Sequence, residues 1–404
     1  MSETRMDVVI IGGGLVGGPL ACALAQSGLR VAVIDHEPAD LQLAPSYDGR
    51  ASALALGPQR VLEQVGLWQF IEPDAAPIKD IRVVDGASPL FLHYDHRALG
   101  DDPFGWIVEN RVMRYALTQR FVELPNLQLF APVSVTDIRR ESDAARLTLS
   151  NGQTLTAALV VAADGRRSPT RHSAGIGITS WGYDQTAIVC TIAHERPHRD
   201  VALEHFLPSG PFAILPLPGN RSSVVWSEKG ALVPKIMAQS DDDFMVELSE
   251  RFGRHLGQIR LEGPRFAYPL TLQLADAYTA PRLALIGDAA HGMHPVAGQG
   301  MNMGLRDVAA LAEIVVTAHR LGQDIGAATV LDDYARWRRF DNLLMLALTD
   351  MVVRLFSNHV KPLAVARSLG LAAVQQLPGV KKFFMRHAMG LVGTLPKLMQ
   401  GQPL

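Results

Sequence analysis

Residues 6–11, Met-Asp-Val-Val-Ile-Ile, form a short β-branched run that ends in Gly12-Gly13-Gly14-Leu15-Val16-Gly17. Such a run suits a strand buried on both faces of a parallel sheet. Residues 16–27 predict a helix ended by Gly28, the usual place for a left-handed cap, and Arg30–Asp35 predicts the next strand. The result is a βαβ unit of about 30 residues. In this setting Gly12 permits the tight turn, Gly14 admits a pyrophosphate to the backbone, and Gly17 lets helix and strand pack closely. The helix start after Leu15 and Val16 offers free N–H groups and a positive dipole end to phosphate. Asp35 ends the second strand, where a carboxylate can accept from a ribose hydroxyl.

Two further glycine turns follow at wide spacing. One is Asp164-Gly165; the other is Gly287-Asp288-Ala289-Ala290-His291, continued by Pro295-Val296-Ala297-Gly298-Gln299-Gly300-Met301-Asn302. Three such turns imply one long cofactor held by segments that fold back together, which points to FAD. Asp288, at a strand end, can accept from a polyol such as ribityl. The N–H groups of Gln299, Gly300 and Met301 open a predicted helix, a good site for the pyrimidine edge where charge gathers on reduction. His291 and His294 stand three apart, but no Cys, Asp or Glu cluster completes a metal site at standard spacing, so no metal is expected. There is no Gly-x-Ser-x-Gly elbow and no P-loop.

At 404 residues, two or three structural units are expected. A net charge of −2 gives no global reason to expect nucleic acid. Cys22 and Cys190 cannot build a disulfide framework, which fits a reducing, cytoplasmic compartment; both read as small buried packing. The amino terminus does not read as a secretion signal. No run reaches the roughly 18 apolar residues of a membrane span; Leu343–Phe356 comes nearest and is broken by Asp350 and Arg354. Residues 351–404 contain no Asp or Glu but carry Arg354, Lys361, Arg367, Lys381, Lys382, Arg386 and Lys397. This basic, apolar tail suits packing as a helical end, or contact with an anionic membrane surface or a partner protein.

Along the chain, Arg50–Leu67 reads as helix, 78–108 as short strands, and Asn110–Leu124 as helix. Strands are expected near Val133–Ile138 and Arg146–Leu149, with an Asn151-Gly152 turn leading into Leu155–Ala163. Residues 181–274 read as strand-rich, Leu283–Ile286 as a buried strand, Met301–Leu321 as a long helix, and the rest from about residue 330 as helical.

The chain resembles the group A flavoprotein monooxygenases of the para-hydroxybenzoate hydroxylase fold, and among them most the aromatic-ring hydroxylases of ubiquinone biosynthesis. The likeness runs from about residue 6 to 345. It rests on Val9-Ile10-Ile11-Gly12-Gly13-Gly14, Asn110-Arg111-Val112-Met113-Arg114, Ala163-Asp164-Gly165-Arg166-Arg167-Ser168, Leu285 through His291, and His294 through Asp307. Gly210 through Leu217 and Val224-Val225-Trp226 resemble the substrate-domain strands of the ubiquinone hydroxylases. The resemblance implies an α/β fold with a Rossmann-like FAD-binding domain (1–77, 109–180 and 275–335) interleaved with a β-sheet substrate domain (78–108 and 181–274) and a helical region, 336–404. It implies that Gly12, Gly14, Leu15, Val16, Gly17 and Asp35 hold the ADP half of FAD. Arg50, Arg111 and Val135 would contact the cofactor. Asp164 and Gly165 would lie near it, Gly287 and Asp288 would meet the ribityl, and Pro295, Gly298, Gln299, Gly300, Met301 and Asn302 would line the isoalloxazine. Position 35 is Asp where Glu is common. Position 288 is Asp where some ubiquinone hydroxylases carry Asn, which leaves the ring position open.

The implied reaction is aromatic hydroxylation with NAD(P)H and O2, through a flavin C4a-hydroperoxide that a phenol ring attacks. The implied substrate is a polyprenylated phenol, whose lipid-soluble tail gives the carboxyl terminus a reason to be basic and apolar. That places the protein in the cytoplasm, peripheral on the inner membrane, and leaves room for partner proteins of the pathway or a second copy of itself. Phe206, Phe212, Leu215 and Trp226 would line the substrate site, and His205, Tyr183 and Tyr268 are candidates for a base that deprotonates the phenol. Three alternatives have distinct signatures. A hydroxylase of a small aromatic acid would carry an Arg deep in its pocket. A reductase or dehydrogenase would not consume O2 in step with product. A non-catalytic flavoprotein scaffold would not need its cofactor turns intact. The Trp-x-Trp-x-Ile-Pro element of halogenases is absent. The choice of NADH or NADPH is open.

Overall fold

The opening β-branched run is the centre of the first of three sheets in the computed structural model, which describes residues 4–86, 88, 91–294, 298–357, 367, 370 and 373–404. Strand β1 (Thr4–Ile11) pairs in parallel with β2 (Val31–Ile34) on one side and β11 (Thr154–Ala162) on the other. β8 (Leu127–Phe130) extends the sheet beyond β2 in parallel, and β18 (Leu283–Leu285) beyond β11. β17 (Thr279–Ala280) closes that edge, while β9 (Val135–Arg140) and β10 (Ala145–Leu149) run antiparallel off β11. Helix α1 (Gly17–Gln26) is buried from Gly17 through Ala25, as its run of Ala and Leu requires. It ends where Gly28 adopts φ +96° and donates to Ala25 O, a turn a Cβ would strain.

The second sheet has the order β19-β16-β12-β15-β14-β13-β5-β6. Its strands are β5 (Asp80–Asp85), β6 (Phe91–Asp95), β12 (Ile178–His194), β13 (Val201–Leu207), β14 (Gly210–Leu217), β15 (Arg221–Lys229), β16 (Ile259–Ala275) and β19 (His291–Gly292). Among the described residues all neighbours are antiparallel except β13 and β5. Between β15 and β16 the chain forms two helices that the strand-rich reading did not foresee, α7 (Val233–Met237) and α8 (Asp241–Phe252). The signal was present in Ser240, whose hydroxyl caps Asp243 N–H, and in the three aspartates of the first turn, which complement the helix dipole.

A third, small sheet joins β3 (Ala51–Ala55), β7 (Gly105–Glu109) and β4 (Ala75–Ile78). It corrects two readings. Arg50–Leu67 is not one helix: its first part is β3, and only α3 (Leu56–Gln64) follows. The strands of 78–108 also separate, β5 and β6 joining the large sheet and β7 pairing with β3. The backbone of 51–55 is drawn into the ladder because Glu109 through Gly105 needs a partner, a tertiary demand that local propensity does not show. Short helices α2 (Ala39–Leu43), α4 (Trp68–Ile71) and α6 (Pro169–Ser173) fill connections, and α5 (Asn110–Val122) packs beside α1 and α4.

Helix α9 (Gln299–Arg320) crosses α1 and carries α10 (Ala328–Phe356) on its outer side. Between them lies Asp307, fully buried. It accepts from Arg338 Nε at 2.8 Å and from the Gly287 N–H at 3.0 Å, and lies 2.5 Å from His291 Nε2. After α11 (Pro378–Ala388) the chain returns to the first core, where Leu398 and Met399 are fully buried and Met389 O accepts from Gly57 N–H.

Burial alone would push the Asp307 carboxyl up, but His291 and Arg338 outweigh it and hold the group down at about 2. Its stabilising contribution is therefore complete above the unfolded carboxylate value of about 3.9 and is lost as pH falls toward about 2. Asp307→Ala leaves the buried Arg338 with only Asp341 and Asn342 as partners and should cost about 3 kcal/mol, the low end for breaking a buried pair, in chemical denaturation at neutral pH. An unchanged unfolding midpoint would show that the cluster is not a structural hub.

Candidate active site

The first glycine turn divides its tasks sharply. Gly12 has φ +102°, and a Cβ there would stand 2.3 Å from Ala163 O. A Cβ on Gly17 would meet Gly12 O at 2.0 Å. Gly14, in contrast, has nothing within 4 Å of a built Cβ, so its face of the turn is open to a ligand. No side chain caps the start of α1 at Val16; Gly18 N–H donates to Gly14 O and Pro19 has no N–H, which leaves the N–H groups of Val16 and Gly17 for an anion. Asp35 closes the turn, accepting from Gly13 N–H at 2.9 Å and Glu37 N–H at 3.0 Å. Beside it runs a groove lined by Gly13, Glu37, Gln42, Arg114, Leu117 and Leu129.

The other turns converge on the same place. A Cβ on Gly287 would lie 3.1 Å from the Val16 side chain, and one on Gly304 would lie 2.7 Å from it. Asp164 uses one oxygen to accept from Thr170 N–H at 3.1 Å; its Oδ1 is buried with no protein partner among the described residues. Gly165 turns the chain at φ +81°. The Asp288 side chain is 57% exposed, with Arg166 no nearer than 4.0 Å. Helix α9 begins after Gly298, at φ +62°, with no side-chain cap, so its first turn at Gly300 and Met301 presents backbone N–H groups at the helix start. Asn302 has another duty: its Oδ1 accepts from Ala55 N–H at 3.0 Å and its Nδ2 donates to Gly298 O, tying β3 to the helix start. Pro295 lies outside the described residues. Val135 opens β9 and packs on the first core, and Leu15 packs there too. An orphaned carboxylate oxygen, an open glycine and two uncapped helix starts fit an extended dinucleotide.

A carboxylate that the sequence reading missed organises the next wall. Asp48 accepts from Arg50 Nε at 2.9 Å, from Asn110 Nδ2 at 3.0 Å and from Arg114 Nη2 at 2.6 Å. Burial opposes its charge, but these donors hold its carboxyl well below the usual range. Arg50 in turn lies over the Tyr268 ring, 4.8 Å from its centroid. Arg111, on the first turn of α5, is exposed with no partner among the described residues. Asp48 stands two residues before Arg50, the one signal that could have exposed it.

The large sheet presents two faces, and side chains paired across strands share one. In one row Ile188 pairs with Trp226, Trp226 with Phe212, and Phe212 with His205. This row meets α7 and α8: Trp226 is fully buried, 5.9 Å from Phe244 and 4.2 Å from the Arg251 guanidinium. Phe212 and Trp226 are therefore core residues of the far face, not part of a substrate site. His205 shares that face and its Nε2 contacts Gly86 O at 2.7 Å, so it is not the base either. The next row runs through Phe266, Val189, Val225, Ala213, Glu204 and Val83. It faces the cofactor side, because Phe266 would collide with a Cβ on Gly49. Leu215 shares this face and packs near Ala51 and Ala53, while Phe206 stacks on Phe356 at 4.3 Å. Tyr268 and Tyr183 are also on this side, yet neither suits a base. Tyr268 donates to Asp48 and Tyr183 to Asp350, and burial together with those carboxylates pushes both phenols up. His291 contacts Asp307 and His294 contacts Gln185, so the two histidines serve different partners.

The glycines give a contrast that separates packing from ligand binding. Gly17→Ala places a methyl against Gly12 O and should lower the melting temperature of cofactor-free protein. Gly14→Ala should leave that temperature unchanged and weaken dinucleotide retention. Equal effects of both changes on the cofactor-free protein would erase the distinction.

Comparison with known proteins agrees with this geometry. The family described as FAD binding domain matches residues 5–340. The chain is 59% identical over 401 residues to ubiquinone hydroxylase UbiL of Rhodospirillum rubrum, covering 98% of this chain and 93% of that one. It is 34% identical to the 3-demethoxyubiquinol 3-hydroxylase of Escherichia coli, covering 97% of this chain and 100% of that one. Among solved structures, p-nitrophenol 4-monooxygenase PnpA of Pseudomonas putida superposes with a TM-score of 0.82 at 22% identity, covering 97% and 99% of the two chains. The last likeness concerns the fold. The first three place the chain, by sequence, in the family of FAD-dependent monooxygenases that includes the ubiquinone hydroxylases.

Proposed function

We propose that this enzyme hydroxylates the aromatic ring of a polyprenylated phenol on the route to ubiquinone, with NAD(P)H as reductant and O2 as oxygen source. The observation that carries the reading is the full-length identity to a ubiquinone hydroxylase, joined to an apolar chamber wall. Three cations beside the cofactor-side face of the large sheet already have carboxylate partners: Arg50 has Asp48, Arg221 has Glu109 and Glu262, and Arg367 has Asp85. This speaks against a small aromatic acid, whose carboxylate would need a cation of its own.

In this reading residues 1–77, 109–180 and 275–335 hold the cofactor, and 78–108 with 181–274 hold the substrate. Gly12, Gly14, Leu15, Val16, Gly17 and Asp35 would bind the ADP half. Arg50, Arg111 and Asp164 would border the middle, and Asp288 would accept from ribityl. Flavin supplies the oxygen-activating chemistry when bound. The protein's own part is to hold the phenol, exclude water through Leu215, Val225 and Val83, and set the charge on the ring.

The proposal extends to location. Among the described residues no helix is long and apolar enough to cross a membrane. Helix α10 nonetheless exposes Phe340, Leu343, Leu344, Leu348 and Met351 on one face, with Phe340 70% exposed, at helical spacing. Leu377, Val380, Phe383 and Phe384 are exposed at α11, beside Lys381, Lys382 and Arg386. These residues suit shallow insertion into an anionic leaflet. Phe356, by contrast, is buried on Phe206, and Leu355 is only half exposed. The inner membrane is the natural place to meet a prenylated substrate.

Deleting the gene should cause a ubiquinone precursor lacking one ring oxygen to accumulate in a quinone profile; an unaltered profile would sink the reading. Asp288→Ala should weaken FAD retention by about 1–3 kcal/mol, the order of a lost buried hydrogen bond, and retention as tight as in the unaltered protein would remove Asp288 from the ribityl. Wild-type protein should float with anionic liposomes and be released by salt, while a Leu344→Glu, Phe383→Glu double variant should stay at the bottom. Equal flotation of the two would leave the apolar face without a membrane role.

A further inference from the structure

Glu204 is the one carboxylate in its row across the large sheet. Its immediate cross-strand partners are Ala213 on β14 and Val83 on β5, and the row continues through Val225, Val189 and Phe266. The same face presses on the cofactor side through Phe266 at Gly49 and through Leu215 and Ile81 near Ala51 and Ala53. Ala53 in turn lies against Gly298, where a Cβ would come within 2.7 Å, at the start of α9. Glu204 is half-buried on this face, with apolar side chains as its cross-strand partners. It has no hydrogen-bond or ion-pair partner among the described residues. The titratable and charged groups on the surrounding elements are otherwise engaged. Asp85 on β5 holds Arg367, Tyr183 on β12 holds Asp350, and Asp48 holds Arg50 and Tyr268. Tyr94 on β6 stays a neutral phenol, pushed up to about 12 by burial.

A half-buried carboxylate set without a partner among apolar side chains is costly to keep, and a cost retained on the face turned toward the glycine turns marks a working group. We propose that Glu204 is the base that accepts the phenolic proton of the substrate, an inference that rests on the phenol hydroxylase reading above. The substrate O–H bond breaks, its electron pair stays on oxygen, and the proton passes to a carboxylate oxygen of Glu204. The ring thereby becomes more electron-rich at the positions ortho and para to that oxygen. Once the ring has gained one oxygen atom of O2 and its displaced C–H proton has left with the other oxygen as water, at the expense of NAD(P)H, Glu204 returns its proton to the anionic product. Burial lifts the Glu204 carboxyl to about 7, which narrows its gap to a phenol near about 10 and makes it a better-matched base at neutral pH.

The test uses the full chain loaded with FAD, with 2-prenylphenol and its O-methyl ether as probes. Binding is read by perturbation of the flavin absorbance. Wild type should prefer the phenol over the ether by about 10–100-fold, the range for a hydrogen bond to a charged group, and Glu204→Leu should bring the ratio near one. Hydroxylation by wild type should rise with pH through about 7. Glu204→Gln should lose that limb and fall on the order of 100-fold in kcat, with partial recovery in Glu204→Asp. Glu204→Leu should melt no lower than wild type, because it removes an unpaired carboxylate. A phenol-to-ether ratio and pH profile unchanged by these substitutions would overturn the assignment, as would a lower melting temperature with an unchanged ratio, which marks a structural role. Failure of the wild-type protein to bind the phenol at all would instead overturn the substrate reading.

Discussion

The Asp307 carboxylate is the point through which the site is built. Its donors come from the Gly287 turn, from α10 through Arg338, and its histidine neighbour, His291, opens β19 on the edge of the second sheet. Asn342 adds a further donor at 3.3 Å. One side chain on α9 thus sets the distance between the turn that begins with Gly287, the substrate sheet and the long outer helix. A buried charge of this kind is tolerable only because every lone pair is answered. The same device recurs at smaller scale. Asp48 gathers Arg50, Asn110 and Arg114 on the cofactor side, and Asp85 fixes Arg367 from the carboxyl-terminal part of the chain.

These hubs commit Arg338, Arg50, Arg114 and Arg367 to carboxylates and leave apolar side chains to face one another between the sheets. Such an enclosure favours chemistry that water would spoil, and it strengthens each remaining electrostatic interaction. Glu204 stands out there because nothing answers it. Asp307 is fully buried and Glu204 half-buried, yet the first is held down by its partners and the second is lifted by desolvation. Environment, not residue type, separates a structural carboxylate from a chemically poised one.

The first glycine turn and its strand were legible because local rules govern them: a β-branched run, a tight turn and close helix packing leave few alternatives. The start of α9 was legible for the same reason. What sequence could not supply was the facing of the substrate strands. Strand periodicity is two, so reading β14 and β15 one residue out of phase selects Phe212 and Trp226 in place of Ala213 and Val225. Both rows are apolar, and only the presence of α7 and α8 on one side decides between them. Had the helix start at Ser240 been recognised, the large aromatics would have been assigned to it and Glu204 to the opposite face. Asp48 was hidden for another reason: its donors stand 2, 62 and 66 residues away in the chain, and no local pattern announces a long-range ion cluster.

The return of the last residues into the first core has a bearing on how the protein is made. Leu398 and Met399 fill space beside α3, Arg306 donates to Val392 O at 2.8 Å, and Arg320 donates to the backbone of Leu404. On the ribosome, every segment carrying a glycine turn emerges before this plug does. A nascent chain therefore exposes an unfinished core beside its glycine turns until the segment carrying Leu398 and Met399 has cleared the exit tunnel and can pack against α3.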